Sequence, residues 1–233
     1  MSNPSVCKLC LATACVPGGR NKHREFTHCP NCGLVFVPSQ FWLSEDEERA
    51  RYAHHDNSPA NEGYVKFLAQ VARVVEGLGG GRVLDFGSGE NAVLADILRQ
   101  RGFDCVAYDP LYGKGQSALG NRYDVVVVCE VIEHLRDLRG ELGTLRICLG
   151  PGGRIVVRTQ CYSSVADVAE WWYARDATHL NFFAERTLSF AAGLWGLRCL
   201  RTSEPDIFIW SDDATATGCR PDREAEDRTG AGR

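Results

Sequence analysis

Residues 82–92, RVLDFGSGENA, constrain the fold most strongly, because an apolar run ends there in two closely spaced glycines. The run RVLDF has the length and apolar content of a buried strand. Glycines directly after a strand let the chain turn sharply, and they let another molecule approach the backbone closely. We therefore predict a strand, a turn at Gly87 and Gly89, and a helix whose N-terminus faces a ligand.

Strands and helices alternate along the chain from residue 63 to residue 210. Helical periodicity is found at 63–76, 134–150 and 184–196, and the run YDVVVV is apolar enough for a central strand of a parallel sheet. This alternation predicts an α/β fold with a doubly wound, mostly parallel sheet. The predicted strands are 82–86, 104–109, 123–130, 152–159, 197–203 and 206–210.

The composition argues against two classes of partner. A formal net charge of −4 provides no overall field for nucleic acid, which makes a nucleic-acid partner the less favoured interpretation. No segment approaches the ~18 apolar residues that span a bilayer. The first ten residues lack the charged and apolar regions of a signal peptide, so we expect a cytoplasmic protein that does not enter membranes.

Four of the eleven cysteines form two C-x2-C pairs separated by eighteen residues. Two such pairs can complete a tetrahedron of thiolates around Zn²⁺, and a segment this short needs the metal in order to fold. We predict a structural zinc site; free thiols, or a ligand from His23 or His28, are the alternatives. The predicted ligands are Cys7, Cys10, Cys29 and Cys32.

The glycine turn by itself fits more than one ligand. The stretch from Gly87 to Ala92 matches the dinucleotide pattern G-x-G-x-x-A, and Asp109 ends the second strand twenty residues after Gly89, where a carboxylate can accept both hydroxyls of a ribose. Asp85, just before the turn, gives no advantage to a pyrophosphate. The Asp85 carboxylate would suit a cationic ligand. Alternatively, it orients the loop through backbone amides or caps the helix that follows.

Three blocks in order resemble the class I S-adenosylmethionine-dependent methyltransferases: VLDFGSG, EVIEHL and LGPGG, within roughly residues 64–160. The resemblance implies a Rossmann-like methyltransferase fold and S-adenosylmethionine as methyl donor. The cofactor's sulfonium and ammonium agree with a turn lined by carboxylates. The cofactor-binding residues that the resemblance implies are Asp85, Gly87, Ser88 and Gly89 around the methionine end, Asp109 on the ribose, and Glu130 beside the sulfonium.

The chain departs from this family in one place. Members usually have a helix and a strand between the acid of the second strand and the strand YDVVVV, whereas only residues 110–122 fill that space here. The polar contact to adenine then has no clear candidate side chain. We expect backbone amides to supply it, or the adenine side to be open and binding to be weaker.

The segment 171–183, WWYARDATHLNFF, places an acid, a threonine and a histidine between two groups of aromatics, at the rim of the sheet where a substrate would meet the methyl donor. It resembles a segment of methyltransferases with a similar N-terminal cysteine cluster. We predict His179 as general base, with Asp176 fixing its tautomer. The predicted substrate contacts are Trp172, Tyr162, Phe182, His134 and Gln160.

A plainer interpretation stays open for these residues. The tryptophans and phenylalanines of 171–183 could form core, with His179 bonded to a carbonyl. Glu133 and His134 could be the solvated start of a helix, where the helix dipole favours an acid.

These patterns predict a methyltransferase acting on oxygen or nitrogen of a small molecule, such as a sugar, a polyketide or another metabolite. An RNA methyltransferase is an alternative, since a zinc ribbon precedes this fold in some ribosomal RNA guanine methyltransferases. The N-terminal module is only modestly basic, and the chain lacks an N-P-P-Y motif, which argues against it. A non-catalytic zinc adaptor on a degenerate domain is a further alternative.

The predicted organisation has four parts. A zinc-ribbon-like module at 1–43 is followed by a polar linker at 44–62 with about one helical turn. The methyltransferase domain then spans 63–210. The tail at 211–233 has no apolar periodicity, and we predict it to be disordered.

Overall fold

The computed structural model describes residues 6–53 and 56–212, and two β-sheets organise them. The strands are β1 (Val16–Arg20), β2 (Glu25–His28), β3 (Val35–Phe36), β4 (Arg82–Phe86), β5 (Asp104–Tyr108), β6 (Tyr123–Cys129), β7 (Leu149–Arg158), β8 (Asn181–Phe182), β9 (Arg198–Arg201) and β10 (Ile207–Ser211). The α-helices are α1 (Glu45–Tyr52), α2 (Glu62–Gly77), α3 (Val93–Gln100), α4 (Leu138–Cys148) and α5 (Glu185–Gly193). Residues 213–233 of the predicted disordered tail lie outside the described residues.

The larger sheet has the strand order β5-β4-β6-β7-β10-β9. Strands β5, β4, β6 and β7 are parallel, whereas β10 pairs antiparallel with both β7 and β9. Helix α3 connects β4 to β5, and α4 connects β6 to β7, as parallel neighbours require. The prediction of an α/β fold with a mostly parallel, Rossmann-like sheet is confirmed.

Apolar side chains cover both faces of this sheet, so the central strands are buried throughout. Along β4, Val83 packs toward α2 and α3, and Leu84 packs toward α4 and α5. All four valines of 125–128 in β6 are buried, as expected for a strand covered on two sides. The carboxyl ends of β4, β5 and β6 therefore meet at one edge, directly above a rigid core.

The smaller sheet joins the N-terminal module to a segment far along the chain. Its order is β1-β2-β3-β8, all antiparallel, and β3 pairs with β8 through Val35 with Phe182 and Phe36 with Asn181. Sequence patterns did not indicate these strands, because they are two to five residues long and β1 contains Pro17 and two glycines. The module and the domain thus share a sheet.

The predicted linker contains a complete two-turn helix, α1, which the sequence analysis understated. Ser44 and Glu47 form a reciprocal capping box, in which the Glu47 amide donates to Ser44 Oγ at 3.3 Å and the Ser44 amide donates to Glu47 Oε2 at 2.8 Å. The pattern Ser-x-x-Glu that signals such a helix start is present in the sequence. Residues 54–55, within the same predicted linker, lie outside the described residues.

The packing of Gly87 yields a stability test. Its φ is +78°, and an added Cβ would lie 2.5 Å from a methyl group of Val131. Gly87→Ala should therefore lower the free energy of unfolding by about 2–4 kcal/mol, combining left-handed strain with overpacking. Gly102→Ala is the matched control, because the φ of Gly102 is +89° and no heavy atom would lie within 4 Å of an added Cβ. This variant should lose only about 1–2 kcal/mol of unfolding free energy, from the left-handed strain alone. Urea denaturation measures both, and equal losses would contradict the packing argument.

Candidate active site

A cavity of about 240 Å³ opens at the carboxyl ends of β4, β5 and β6, and we call it the glycine-turn cavity. Its wall includes Gly87, Gly89, Asp109, Glu130 and His134. Ligands of open parallel sheets bind at this position, outside the carboxyl ends of the strands. Four of the six predicted cofactor residues therefore line one cavity.

The backbone of the turn leaves room for a ligand. The φ of Gly89 is +70°, and an added Cβ there would meet no heavy atom within 4 Å, so the turn forms an open cradle. Asp109 shapes the rim, since its Oδ2 accepts from the Gly89 amide at 2.8 Å and its Oδ1 accepts from the Leu111 amide at 3.0 Å. Oδ1 also accepts from the Tyr112 amide at 3.3 Å, whereas Oδ2 retains a second lone pair for a ligand hydroxyl.

Asp85 and Ser88 lie behind the cavity wall and do not line it. Asp85 is 2% exposed on the face of β4 that α2 and α3 cover, and its Oδ2 has no hydrogen-bond partner among the described residues. Burial raises the pKa of this carboxyl to about 7. Asp85 is therefore a buried carboxyl beneath the turn and not part of the cavity surface.

The short segment 110–122 still contributes to the cavity wall. An antiparallel bridge between Asp109 and Lys114 folds its first half back, and a 3₁₀ turn follows at 116–120. Pro110, Leu111 and Tyr112 then face the glycine-turn cavity. The missing helix and strand are thus partly replaced by a tight turn with apolar side chains.

A second cavity, of about 430 Å³, adjoins the first, and we call it the aromatic cavity. Tyr64 and Phe67 of α2 line one part of it, and Trp172, Tyr173 and His179 line another. The two cavities have four wall residues in common: Tyr52, Asn57, Glu130 and His134. A molecule in the aromatic cavity would therefore reach a molecule in the glycine-turn cavity beside Glu130 and His134.

Both histidines of the aromatic cavity are oriented by backbone carbonyls. Nδ1 of His179 lies 2.8 Å from the Tyr173 carbonyl oxygen, and Nδ1 of His134 lies 3.1 Å from the Thr178 carbonyl oxygen. A carbonyl only accepts, so each Nδ1 donates this hydrogen bond. The rings contact edge to face, with centroids 4.7 Å apart.

A backbone turn joins Asp176 to His179. The 3₁₀ turn at 172–175 ends at Asp176, and the His179 amide then donates to the Asp176 carbonyl oxygen at 3.2 Å. The role of Asp176 in fixing the tautomer of His179 stays a prediction. The Asp176 carboxylate accepts from Thr178 Oγ1 at 2.7 Å and from Arg51 at 3.1 Å. Burial alone would raise the pKa of Asp176, but these hydrogen bonds hold it well below its usual range.

A buried carboxyl network that the sequence analysis missed underlies both cavities. The Tyr173 hydroxyl contacts Glu133 Oε1 at 2.6 Å and Glu130 Oε2 at 3.1 Å, and the Thr159 hydroxyl donates to Glu133 Oε2 at 3.1 Å. Glu133 is 0% exposed and α4 begins only at Leu138, so the interpretation of a solvated helix start is wrong. No local pattern indicates this network, because its members are far apart in sequence.

Burial favours the protonated forms of the two glutamates in this network. Burial raises the pKa of Glu133 well above its usual range, and the neighbouring Glu130 raises it further. Burial also raises the pKa of Glu130 to about 7. Glu130 has a φ of +53°, a strained conformation for a residue with a side chain, and such strain concentrates at functional sites.

Three of the predicted substrate residues have other surroundings. Phe182 is 0% exposed and packs in the core between β3 and the 3₁₀ turns, so its prediction as a substrate contact is wrong. The Tyr162 hydroxyl donates to the Gly33 carbonyl, and Tyr162 and Gln160 line a separate cavity. Trp172 does line the aromatic cavity and is 60% exposed at its rim.

The four predicted zinc ligands converge. The Sγ atoms of Cys7 and Cys32 lie 3.6 Å apart, those of Cys10 and Cys29 lie 3.5 Å apart, and all four lie within 4.8 Å of one another. Tetrahedral zinc with bonds of about 2.3 Å places sulfurs about 3.8 Å apart, so this donor set fits Zn²⁺. In the described residues the group consists of these cysteines, without His23 or His28.

Comparisons with known proteins agree with this geometry. A sequence profile of the methyltransferase domain family matches residues 52–202. An O-methyltransferase family protein from Burkholderia thailandensis is similar in structure, with 19% identity and a TM-score of 0.52 over 74% of this chain and 60% of that chain. This chain therefore spans about three fifths of that protein's length, and a likeness at this identity concerns the fold.

Two further solved structures are similar over more of their own length. The Burkholderia thailandensis 1,6-didemethyltoxoflavin-N1-methyltransferase has 15% identity and a TM-score of 0.47, over 79% of this chain and 97% of that chain. The magnesium protoporphyrin IX methyltransferase of Synechocystis PCC 6803 has 18% identity and a TM-score of 0.49, over 75% of this chain and 97% of that chain.

No curated protein matched the sequence. Within residues 6–53 and 56–212, no helix has the length and apolarity to cross a membrane.

The buried Asp85 predicts a dependence of stability on pH. Its pKa of about 7 in the fold exceeds the ~3.9 of an unfolded chain, so it stabilises the fold fully only below about pH 4 and loses this contribution as pH rises through about 7. Asp85→Asn should therefore gain stability relative to the unmodified protein between about pH 5 and pH 8. Urea denaturation across this range measures the difference, with the exposed Asp104→Asn as control. A pH-independent difference would contradict the assignment.

Proposed function

The chain belongs to the methyltransferase domain family, and we propose that it transfers a methyl group from S-adenosylmethionine to a small molecule. The observation that carries this proposal is the junction of the two cavities. The glycine-turn cavity lies where this fold binds ligands, and the aromatic cavity meets it at Glu130 and His134. A donor and an acceptor held in these cavities would meet at that wall.

The residues around the glycine-turn cavity fit the proposed cofactor. When bound, S-adenosylmethionine supplies an electrophilic methyl group on a sulfonium. Gly89 offers an open cradle and Asp109 offers carboxylate oxygens suited to ribose hydroxyls. Glu130, whose pKa burial raises to about 7, gains from any cation beside it, because a nearby positive charge favours the ionised carboxylate.

The aromatic cavity is the proposed acceptor site. Its volume of about 430 Å³ is within the usual range for small-molecule pockets, and its wall combines aromatic rings with a few polar groups. This enclosure supports a metabolite-sized acceptor over a nucleic-acid chain. The acceptor's reacting oxygen or nitrogen would face the wall that both cavities have in common.

His179 is the proposed general base. The Tyr173 carbonyl keeps the proton on Nδ1, so the neutral ring presents Nε2 as the proton acceptor. In that role Nε2 would take the proton from the reacting oxygen or nitrogen of the acceptor. Asp176 belongs to the proposal as an anion that holds the turn before His179, through Thr178 and Arg51.

A structural zinc ion is the proposed metal of the cysteine cluster. The four sulfurs are spaced as a tetrahedral zinc site requires, and Cys7, Cys29 and Cys32 are buried. This metal would connect the two cysteine pairs and so hold the first strands of the module together.

Cofactor binding is tested at Asp109. Asp109→Ala should weaken S-adenosylmethionine binding by about 1.5–3 kcal/mol, as for loss of hydrogen bonds to a charged group. Asp109→Asn retains an acceptor for the Leu111 amide, so it should lose less cofactor affinity than Asp109→Ala. Asp104→Ala, at the other end of β5, is the control, since its carboxylate is 70% exposed and pairs with Arg82. Calorimetry that finds equal affinity in all variants, or NADH binding in place of the cofactor, would overturn the assignment.

The base is tested at His179. His179→Ala should leave cofactor affinity unchanged and lower turnover by ~10²–10⁴, the usual contribution of a positioned base. The acceptor is first identified by incubating the protein with cofactor and a metabolite extract and finding the mass that rises by one methyl group. His23→Ala, an exposed histidine of the module, serves as control. If His179→Ala loses cofactor binding or folding, the histidine is structural.

The metal is tested directly. Protein purified without added zinc should contain one zinc per chain by elemental analysis, and Cys29→Ser should lose the metal and melt at a lower temperature. Cys199→Ser, on the edge strand β9, should retain it. A metal-free protein with unchanged melting would refute the zinc site.

A further inference from the structure

Arg24 of the N-terminal module is buried against the segment that carries His179. It is 6% exposed, and its guanidinium donates to the carbonyl oxygens of Ala174 at 2.7 Å and Asp176 at 2.5 Å. It also donates to the carbonyl oxygens of Ala177 at 3.1 Å and His179 at 2.9 Å. One side chain therefore binds four carbonyls within six residues.

These carbonyls need an external donor. Ala174 lies at the end of the 3₁₀ turn, and residues 176–179 follow it outside any helix or strand, so regular structure does not provide each of these carbonyls with a partner. The Asp176 carbonyl also accepts from the His179 amide at 3.2 Å. A guanidinium has five N–H donors in a planar fork and can serve several carbonyls at once. Burial lowers the pKa of Arg24 only to about 10, so the donor stays charged at neutral pH.

Arg24 is itself held by the fold of the module. Its amide donates to Asn21 Oδ1 at 3.0 Å in the turn between β1 and β2, and its carbonyl accepts from the Asn21 amide at 3.0 Å. Its guanidinium lies 5.5 Å from the ring centroid of Phe26 and 5.9 Å from that of Phe182. Strand β2 then runs directly to Cys29 of the cysteine cluster.

A second cation of the module reaches the other end of the segment. Lys8, between Cys7 and Cys10, donates to Asn181 Oδ1 and to the Leu135 carbonyl, both at 3.1 Å. The Asn181 side chain donates in turn to the Leu135 carbonyl at 2.8 Å. His179 thus lies between two contacts made by cations of the cysteine module.

We propose that Arg24 is the positioning residue of His179 and that the cysteine module, through Arg24 and Lys8, fixes the backbone of residues 174–181. Metal binding at the cysteines is then coupled to the geometry of the aromatic cavity. Arg24 contacts neither the glycine turn nor any other residue of the glycine-turn cavity wall, so we expect cofactor binding to be independent of Arg24. The kinetic part of this inference rests on the proposed role of His179 and the coupling to metal rests on the proposed zinc site, whereas the positioning of the backbone by Arg24 and Lys8 rests on neither.

The test compares two arginines that each join the module to the rest of the protein through backbone carbonyls. Arg24→Met keeps an unbranched apolar stem and removes the donors of the side chain. Arg139→Met is the matched control, because Arg139 donates to the Leu9 carbonyl of the same module at 2.8 Å and does not line the aromatic cavity. Hydrogen exchange followed by mass spectrometry reads the amides of 178–181, all of which are hydrogen bonded in the structure.

In Arg24→Met, the amide hydrogens of residues 174–181 should exchange faster, whereas those of residues 83–89 should not. Cofactor affinity should be retained. Turnover should fall by about 10- to 100-fold, which is the cost of a small misplacement of a catalytic group. Added guanidinium ion should restore part of both the protection and the turnover. Arg139→Met should change none of these. Unchanged exchange in Arg24→Met would overturn the proposal, and so would equal effects in the two variants.

Two further measurements keep the result decisive. If Arg24→Met does not fold, Arg24→Lys, which retains the charge with fewer donors, replaces it under the same criteria. Chelation of the metal should accelerate amide exchange in residues 174–181 at an earlier stage than in residues 83–89. Equal acceleration in both segments would show that the metal only stabilises the whole fold, and it would overturn the proposed coupling. If His179→Ala keeps full turnover while Arg24→Met shows the local exchange change, the proposed base is wrong and the positioning contact stands.

Discussion

Asp85, Asp109, Glu130 and Glu133 bring four carboxyl groups to the carboxyl ends of β4, β5 and β6, where water is largely excluded. Burying that much acid in a small volume is unfavourable unless the groups are protonated, hydrogen bonded or neutralised. Asp109 is satisfied by three amides, and Glu133 by two hydroxyls. Burial nevertheless raises the pKa values of Asp85, Glu130 and Glu133, and a positive charge beside Glu130 would favour its ionised form.

The same constraint explains the positions of the neighbouring elements. Tyr173 can donate to the glutamates only if the 3₁₀ turns after β7 fold back over β6, and the amides of Leu180 and Asn181 hold this return by donating to the Glu133 carbonyl at 2.7 and 2.9 Å. Once Asn181 is fixed there, Phe182 completes the pairing with β3. The acidic edge, the aromatic cavity and the N-terminal module are therefore one connected arrangement.

The sequence was sufficient to predict the large sheet and the glycine turn, because strong periodicity and glycine placement are local signals. Asp109, Glu130, His134 and His179 were also predicted, and the structure brings them around two adjoining cavities. The Tyr173 network, the Arg24 contacts and the strand β8 were not predictable, since each depends on residues far apart in the chain. Phe182 was assigned to substrate because a two-residue strand gives no alternation from which its inward face could be inferred.

The pairing of β3 with β8 has a consequence for synthesis of the chain. Strand β3 leaves the ribosome early, but its partner follows only after all four parallel strands of the larger sheet. During that interval the edge of β3, with the apolar Val35 and Phe36, offers unpaired backbone groups to any other extended chain. The nascent module is thus most exposed to association with other chains while the catalytic half of the protein is still being made.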